Sequence, residues 1–296
     1  MPHSKKSSRS LVIIGGKEDR AGEMAILTEV AKRVGSGKLV IATVASSVGD
    51  ELWKDYRAIF RKLGVKQISH LDVICRKEAV DRAALKALEG ATAVFFTGGD
   101  QLKITSELGG TVVADEIYRI YETGGMIAGT SAGASVMSET MLVAGSSDGS
   151  YRIGASVRTA PGLGFVKNMI IDQHFAERGR ISRLLGVVAQ NPRYLGIGID
   201  EDTAIIMNEH ESFRVIGRGA VYVIDAHEAT ESNVAEAAID TALSIFNVRV
   251  HVLSAGDAFD MAHKQPRRLD AAYAIGSPGA PPPSPRRPAR GAEKYS

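Results

Sequence analysis

Short runs that are apolar at nearly every position and end on glycine recur through the first half of this chain. Leu11–Ile14 runs into Gly15-Gly16, Ala93–Thr97 into Gly98-Gly99, and a run starting at Met126 into Gly129-Thr130-Ser131-Ala132-Gly133. Leu39–Val44 and Gln67–Ile74 read as further strands, while Glu23–Val34, Leu52–Leu63, Ala79–Leu88 and the stretch ending at Tyr121 read as helices. A strand with no polar face must be covered on both sides, and strands separated by helices run parallel. The expected fold is α/β: a mostly parallel, doubly wound sheet flanked by helices. Loops at the carboxyl ends of such strands carry the chemistry, and the three glycine-rich turns fall at that edge. Met169–Asp172 reads as another strand and Ile181–Val188 as a helix. Leu195–Asp200, Ala204–Met207, Phe213–Ile216 and Val221–Ile224 are closely connected strands of more antiparallel character, and Val248–Leu253 is the last strand.

These patterns predict a single domain over residues 11–264, between a polar tail (1–10) and a tail at 265–296. Six of the ten prolines lie between Pro278 and Pro288 among Ser, Gly, Ala and Arg, a composition that cannot bury enough apolar surface to order itself. The net charge of +2 gives no reason to expect a nucleic-acid partner. The one cysteine, Cys75, excludes a disulfide framework and a thiolate metal cage, and after Leu71–Ile74 it reads as a core residue at a strand end. No metal-ligand spacing appears, and no cofactor is expected. Four apolar residues after a basic tail are too few for a signal peptide or a membrane span, so a soluble cytoplasmic protein is expected.

Gly129-x-Ser131-x-Gly133 has the pattern of a nucleophile elbow, a sharp strand-to-helix turn with the serine at its tip. The next N–H, at Ala132, would face a developing oxyanion. Backbone N–H groups near Gly99 are the natural second donor, with Asp100 as a helix N-cap in the same turn. An acyl-transfer serine needs a base and an orienting acid. Of seven histidines, His174 alone directly follows a strand expected at the same sheet edge; His251 alternates with Val250 and Val252 as a packing or surface position. For the acid, Glu201 closes the strand Leu195–Asp200, with Asp200 and Asp202 as competitors that pattern alone does not separate. The order serine, histidine, acid is not that of α/β-hydrolases. Arg178, Arg180 and Arg183 fall within six residues beside the proposed base. Their planar forks suit carboxylates, and Asp172 suits a guanidinium.

The segments IIGGKED, FTGGDQ, GTSAGAS, DQHFAERGRISRL and GIGIDEDTA, in that order, resemble the serine peptidase family of the cyanophycinases and α-aspartyl dipeptidases. The DQHF…RGR..RL run points to the cyanophycinase branch. The resemblance implies a fold like that of class I glutamine amidotransferases (flavodoxin-like), with serine replacing cysteine at the elbow. It implies the triad Ser131, His174 and Glu201, and a substrate pocket of Gln101, Asp172, Gln173, Arg178, Arg180 and Arg183. It implies action on cyanophycin, a poly-aspartate with arginine on each β-carboxyl, releasing β-Asp-Arg dipeptides from the chain end, commonly by a homodimer. The rival readings are a peptidase acting on free Asp-X dipeptides and a binding protein that keeps the pocket without turnover.

Overall fold

The computed structural model describes residues 9–145, 150–154, 157–208 and 212–269. Its first half alternates as the sequence pattern predicts: β1 (Ser10–Ile14), α1 (Ala25–Val34), β2 (Lys38–Ala42), α2 (Gly49–Lys62), β3 (Gln67–Leu71), α3 (Arg82–Leu88), β4 (Ala93–Phe96), α4 (Gln101–Leu108), α5 (Val112–Glu122) and β5 (Met126–Thr130). Then come α6 (Ala132–Ser135), β6 (Thr140–Ala144), β7 (Arg158–Pro161), β8 (Met169–Gln173), α7 (Ile181–Gln190), β9 (Leu195–Ile199), β10 (Thr203–Asn208), β11 (Ser212–Gly217), β12 (Val221–Asp225), β13 (Arg249–Leu253), β14 (Asp257–Asp260) and β15 (Gln265–Arg268).

The central sheet has nine strands in the order β15-β14-β11-β10-β1-β5-β4-β2-β3. The five strands from β1 to β3 are parallel, while β10, β11, β14 and β15 add antiparallel neighbours. A second sheet, β13-β12-β9-β8, stands apart, and β6 pairs with β7. Alternation splits the apolar strands between two faces. Val12, Ile14, Leu39, Ile41 and Phe95 meet Ile26, Leu27 and Val30 of α1 and Tyr56 and Phe60 of α2. Leu11, Ile13, Val40, Val94 and Ile127 meet α3, α4 and α5, and that core continues into Ile171, Ile197, Ile199 and Val223 of the second sheet. Both faces of β1, β2, β4 and β5 are dry, which is why no polar alternation marks them, whereas the edge strand β3 is partly exposed. The helices carry their own end signals: Asp100 caps α4 by accepting from Leu102 N at 2.8 Å, and α2 runs from Asp50 and Glu51 to Arg61 and Lys62, matching the helix dipole.

Two expectations are corrected here. The ordered chain passes residue 264: Gln265–Arg268 pairs antiparallel with β14, and Leu269 N donates to Gly256 O. The remaining proline-rich residues, 270–296, and residues 1–8 lie outside the described residues. Cys75 is exposed, because β3 ends at Leu71 and the chain has already turned outward. No helix among the described residues is long and apolar enough to cross a membrane.

Candidate active site

Five strand ends, those of β1, β4, β5, β8 and β9, converge between the two sheets. Ser131 follows β5, in the central sheet, and joins it directly to α6. Its backbone is bent to φ 54° and ψ −112°, a conformation few side chains adopt. Its N–H donates to Ile14 O at 3.0 Å, tying the turn to the end of β1. The second flanking glycine is required by contact: a Cβ on Gly133 would stand 2.4 Å from Phe96 O. The turn after β4 lies alongside, with the Cβ position of Gly98 3.5 Å from Ser131 Cβ.

His174 and Glu201 come from the second sheet, after β8 and β9. Ser131 Oγ lies 3.0 Å from His174 Nε2, and His174 Nδ1 lies 2.7 Å from Glu201 Oε1. His174 is 5% exposed and has φ 46°. Its N–H donates to Gly15 O at 2.8 Å. Gly16 (φ 105°) passes so close beneath the ring that a Cβ there would be 2.4 Å from His174 Cε1. Burial pushes the imidazole below its usual pKa; the hydrogen bond to Glu201 pulls it back up, and Arg178 and Arg180 press it down. For Glu201, burial pushes the carboxyl up, and hydrogen bonds from Lys17 and His174 outweigh it, so the group lies below its ordinary value.

The choice among three acids is resolved by their partners. Asp200 spends its two oxygens on Ala176 N (2.9 Å) and Ala220 N (3.0 Å), and Asp202 Oδ1 accepts from Asp19 N (2.8 Å). Glu201 is the one that meets the imidazole.

The residues expected to meet substrate are placed less simply. Asp172 is 1% exposed, and Arg183 grips it with Nε on Oδ2 at 2.7 Å and Nη2 on Oδ1 at 2.5 Å. Arg180 Nη1 donates to the same carboxylate at 3.1 Å and to Gln173 O. Asp172 and the Arg180 and Arg183 guanidinium groups pair with one another at the end of β8, leaving one net positive charge in the cluster. A buried carboxylate needs such partners, and two arginines aligned on one face provide them. Arg180 Nε is buried and has no partner among the described residues. Arg178 is exposed. Gln173 Oε1 lies 3.5 Å from Ser131 Oγ, and Gln101 Nε2 donates to Leu142 O at 2.9 Å.

Two neighbours of the site carried no role in the sequence reading. Glu18 is buried, accepts from Thr130 Oγ1 at 2.6 Å and from the Tyr56 hydroxyl, and so anchors the residue preceding Ser131. Lys17 Nζ lies 2.8 Å from Glu201 Oε1. The signal was present as charged residues directly after the Gly15-Gly16 turn. Away from the site, Asp50, His70 and Asp72 offer ligand atoms within 4.8 Å of one another and could hold a metal ion. His70 and Asp72 flank the last residue of β3, while Asp50 comes from α2, so sequence spacing does not bring the third group to the pair. His70 is stacked on Trp53 and bonded to Thr43 Oγ1 at 2.8 Å.

With this geometry in place, comparison defines the class of protein. The profile of peptidase family S51 matches residues 11–215, and the chain belongs to that family. Among its relatives, the cyanophycinase of Synechococcus elongatus is 35% identical over 267 residues, spanning 89% of this chain and 83% of that one. The cyanophycinase of Geminocystis herdmanii (strain PCC 6308) is 36% identical over 264 residues, spanning 87% of this chain and 95% of that one. A peptidase from an acI-B1 Actinobacterium shares the fold, with a TM-score of 0.64 and 23% identity over 86% of this chain and 98% of that one.

Proposed function

We propose that this chain is a serine exopeptidase that hydrolyses cyanophycin to β-Asp-Arg dipeptides. The observation that carries the reading is the continuous chain Ser131 Oγ–His174 Nε2–His174 Nδ1–Glu201 Oε1, with steps of 3.0 and 2.7 Å, in a member of a peptidase family. The cyanophycinase relatives supply the substrate class.

In this reading the Ser131 turn is a nucleophile elbow, and the fold is of the class I glutamine amidotransferase type. Glu201 holds the His174 tautomer that bears its proton on Nδ1, leaving Nε2 free to take the serine proton. Ser131 Oγ attacks the scissile carbonyl, and the oxyanion is received by the N–H groups of Ala132 and Gly99. His174 returns the proton to the leaving amine, and water then hydrolyses the acyl ester. Depression of the His174 pKa by burial keeps the base neutral at physiological pH. Of the arginines, exposed Arg178 is the group offered to substrate carboxylate, with Arg180, Gln101 and Gln173 on the lining. Asp172 and Arg183 hold that lining in place. The protein acts as a cytoplasmic homodimer whose single catalytic domain includes β15 (Gln265–Arg268).

The test is mass spectrometry of products after incubation with cyanophycin, beside Asp-X dipeptides as competitors. β-Asp-Arg from the wild type and none from Ser131→Ala is the expected result. Cleavage of Asp-X alone assigns the chain to the dipeptidase reading, and no turnover of either favours a binding protein.

A further inference from the structure

The turn after β1 touches every part of the proposed triad. Ile14 O receives Ser131 N, Gly15 O receives His174 N, and Gly16 O receives Asp202 N at 2.9 Å. Asp19 N donates to Asp202 Oδ1 at 2.8 Å. Residues 16 and 19 thus grip the residue next to Glu201, and Lys17 lies between them. Its φ is 45°, a left-handed conformation that a lysine adopts only when its surroundings impose it. The result is that Lys17 Nζ and His174 Nδ1 meet the same atom, Glu201 Oε1, at 2.8 and 2.7 Å.

We propose that Lys17 is a positioning residue for the catalytic base: its ammonium fixes Glu201 Oε1 against the imidazole and offsets the carboxylate charge that would otherwise favour a protonated His174. The inference rests on the triad reading given above. A stability role does not account for the arrangement, since the Lys17 side chain is 70% exposed and ion pairs of that kind contribute little to folding. A carboxylate alone beside the imidazole would stabilise the imidazolium and silence the base at moderately acid pH. A cation sharing the same oxygen reduces that pull. The other cations near the pair are Arg178 and Arg180, which lower the His174 pKa directly, whereas Lys17 acts on Glu201. Glu177 meets the backbone N–H of Glu201 at 3.1 Å. Lys17 differs from the arginines in acting on the carboxylate rather than lying on the segment that carries the histidine.

The test is the pH dependence of fluorophosphonate labelling of the full chain, which reads the nucleophile and base without needing a chosen substrate. Wild type, Lys17→Met, Lys17→Arg and Ser131→Ala are compared at low and high salt, with thermal unfolding alongside. In Lys17→Met the acid-side midpoint moves up by about half a pH unit or more, Tm is unchanged, and Lys17→Arg restores the wild-type midpoint. The shift between wild type and Lys17→Met shrinks in ~1 M salt, where exposed charges are screened. Superimposed profiles for wild type and Lys17→Met overturn the proposal, as does a fall in Tm with no shift of midpoint. Undiminished labelling of Ser131→Ala is a different failure, because it removes the triad reading itself.

Discussion

The central sheet and the second sheet contribute to the site in different ways. The central sheet presents the proposed nucleophile, Ser131, on a strand-turn-helix whose shape is set by local contacts: Gly133 against Phe96, Ser131 N on Ile14 O, Thr130 on Glu18. The second sheet presents His174 and Glu201 from neighbouring parallel strands, supported by an ionic cluster at Asp172. The serine's position is local in sequence. That of the base depends on how two sheets are registered, and the turn after β1 is the element that touches both. The lesson is that a serine can be aimed by a short motif, whereas the histidine proposed as its base is aimed by tertiary structure.

The sharpest way to break this division is at the base. His174→Ala is expected to lower kcat by about 10³-fold or more with folding intact, while His251→Ala, on the far strand β13, leaves turnover unchanged. Steady-state kinetics on cyanophycin check this, and comparable losses in the two variants would place the base elsewhere.

The support beneath the second sheet is tested by Asp172→Ala. It strands two buried arginines without their shared carboxylate, and a loss of about 3–5 kcal/mol is expected in denaturant unfolding. A variant as stable as wild type would mean that the cluster is held by other contacts. Gly16→Ala probes the register between the sheets. A methyl group there collides with the His174 ring, so kcat is expected to fall by roughly 10–100-fold with a smaller change in KM. An unchanged kcat would show that the ring has room to move without cost.

The smallest effect is on pH dependence. Because burial holds His174 below its ordinary value of ~6.5, the acid limb of kcat/KM should have its midpoint below that value. Protonation removes the base, so activity falls as pH drops through the folded-state pKa and is retained above it. A midpoint above the ordinary histidine value would contradict the buried, neutral imidazole.

The same contrast explains what was legible in the sequence. Strands such as Leu11–Ile14 and Ala93–Phe96 are apolar because both faces are buried, so their pattern alone marks them. Ser131, His174 and Glu201 were legible as candidates because each lies within two residues of a strand end. The strands β14 (Asp257–Asp260) and β15 (Gln265–Arg268) were not, since DAFD and QPRR pair through the sheet rather than through any apolar run. Asp172, Arg180 and Arg183 were found as neighbours, but spacing does not reveal that one carboxylate, folded inward, pairs with both guanidinium groups. Residue pattern alone left Glu201 level with Asp200 and Asp202; the family resemblance pointed to Glu201, and the structure shows the oxygens of the other two already taken. Lys17 and Glu18 were visible as charges after a glycine turn, yet their partners lie far along the chain at Glu201 and Thr130.

The central claim is that a serine on one sheet and a histidine on the other form a single reactive unit. The most direct measurement is intact-mass and peptide mapping of the chain after fluorophosphonate treatment, in wild type and in His174→Ala at equal folded concentration. The account predicts one adduct, on Ser131, formed at least about 10²-fold more slowly in His174→Ala. An adduct at another residue, or undiminished labelling of Ser131 without His174, would contradict it.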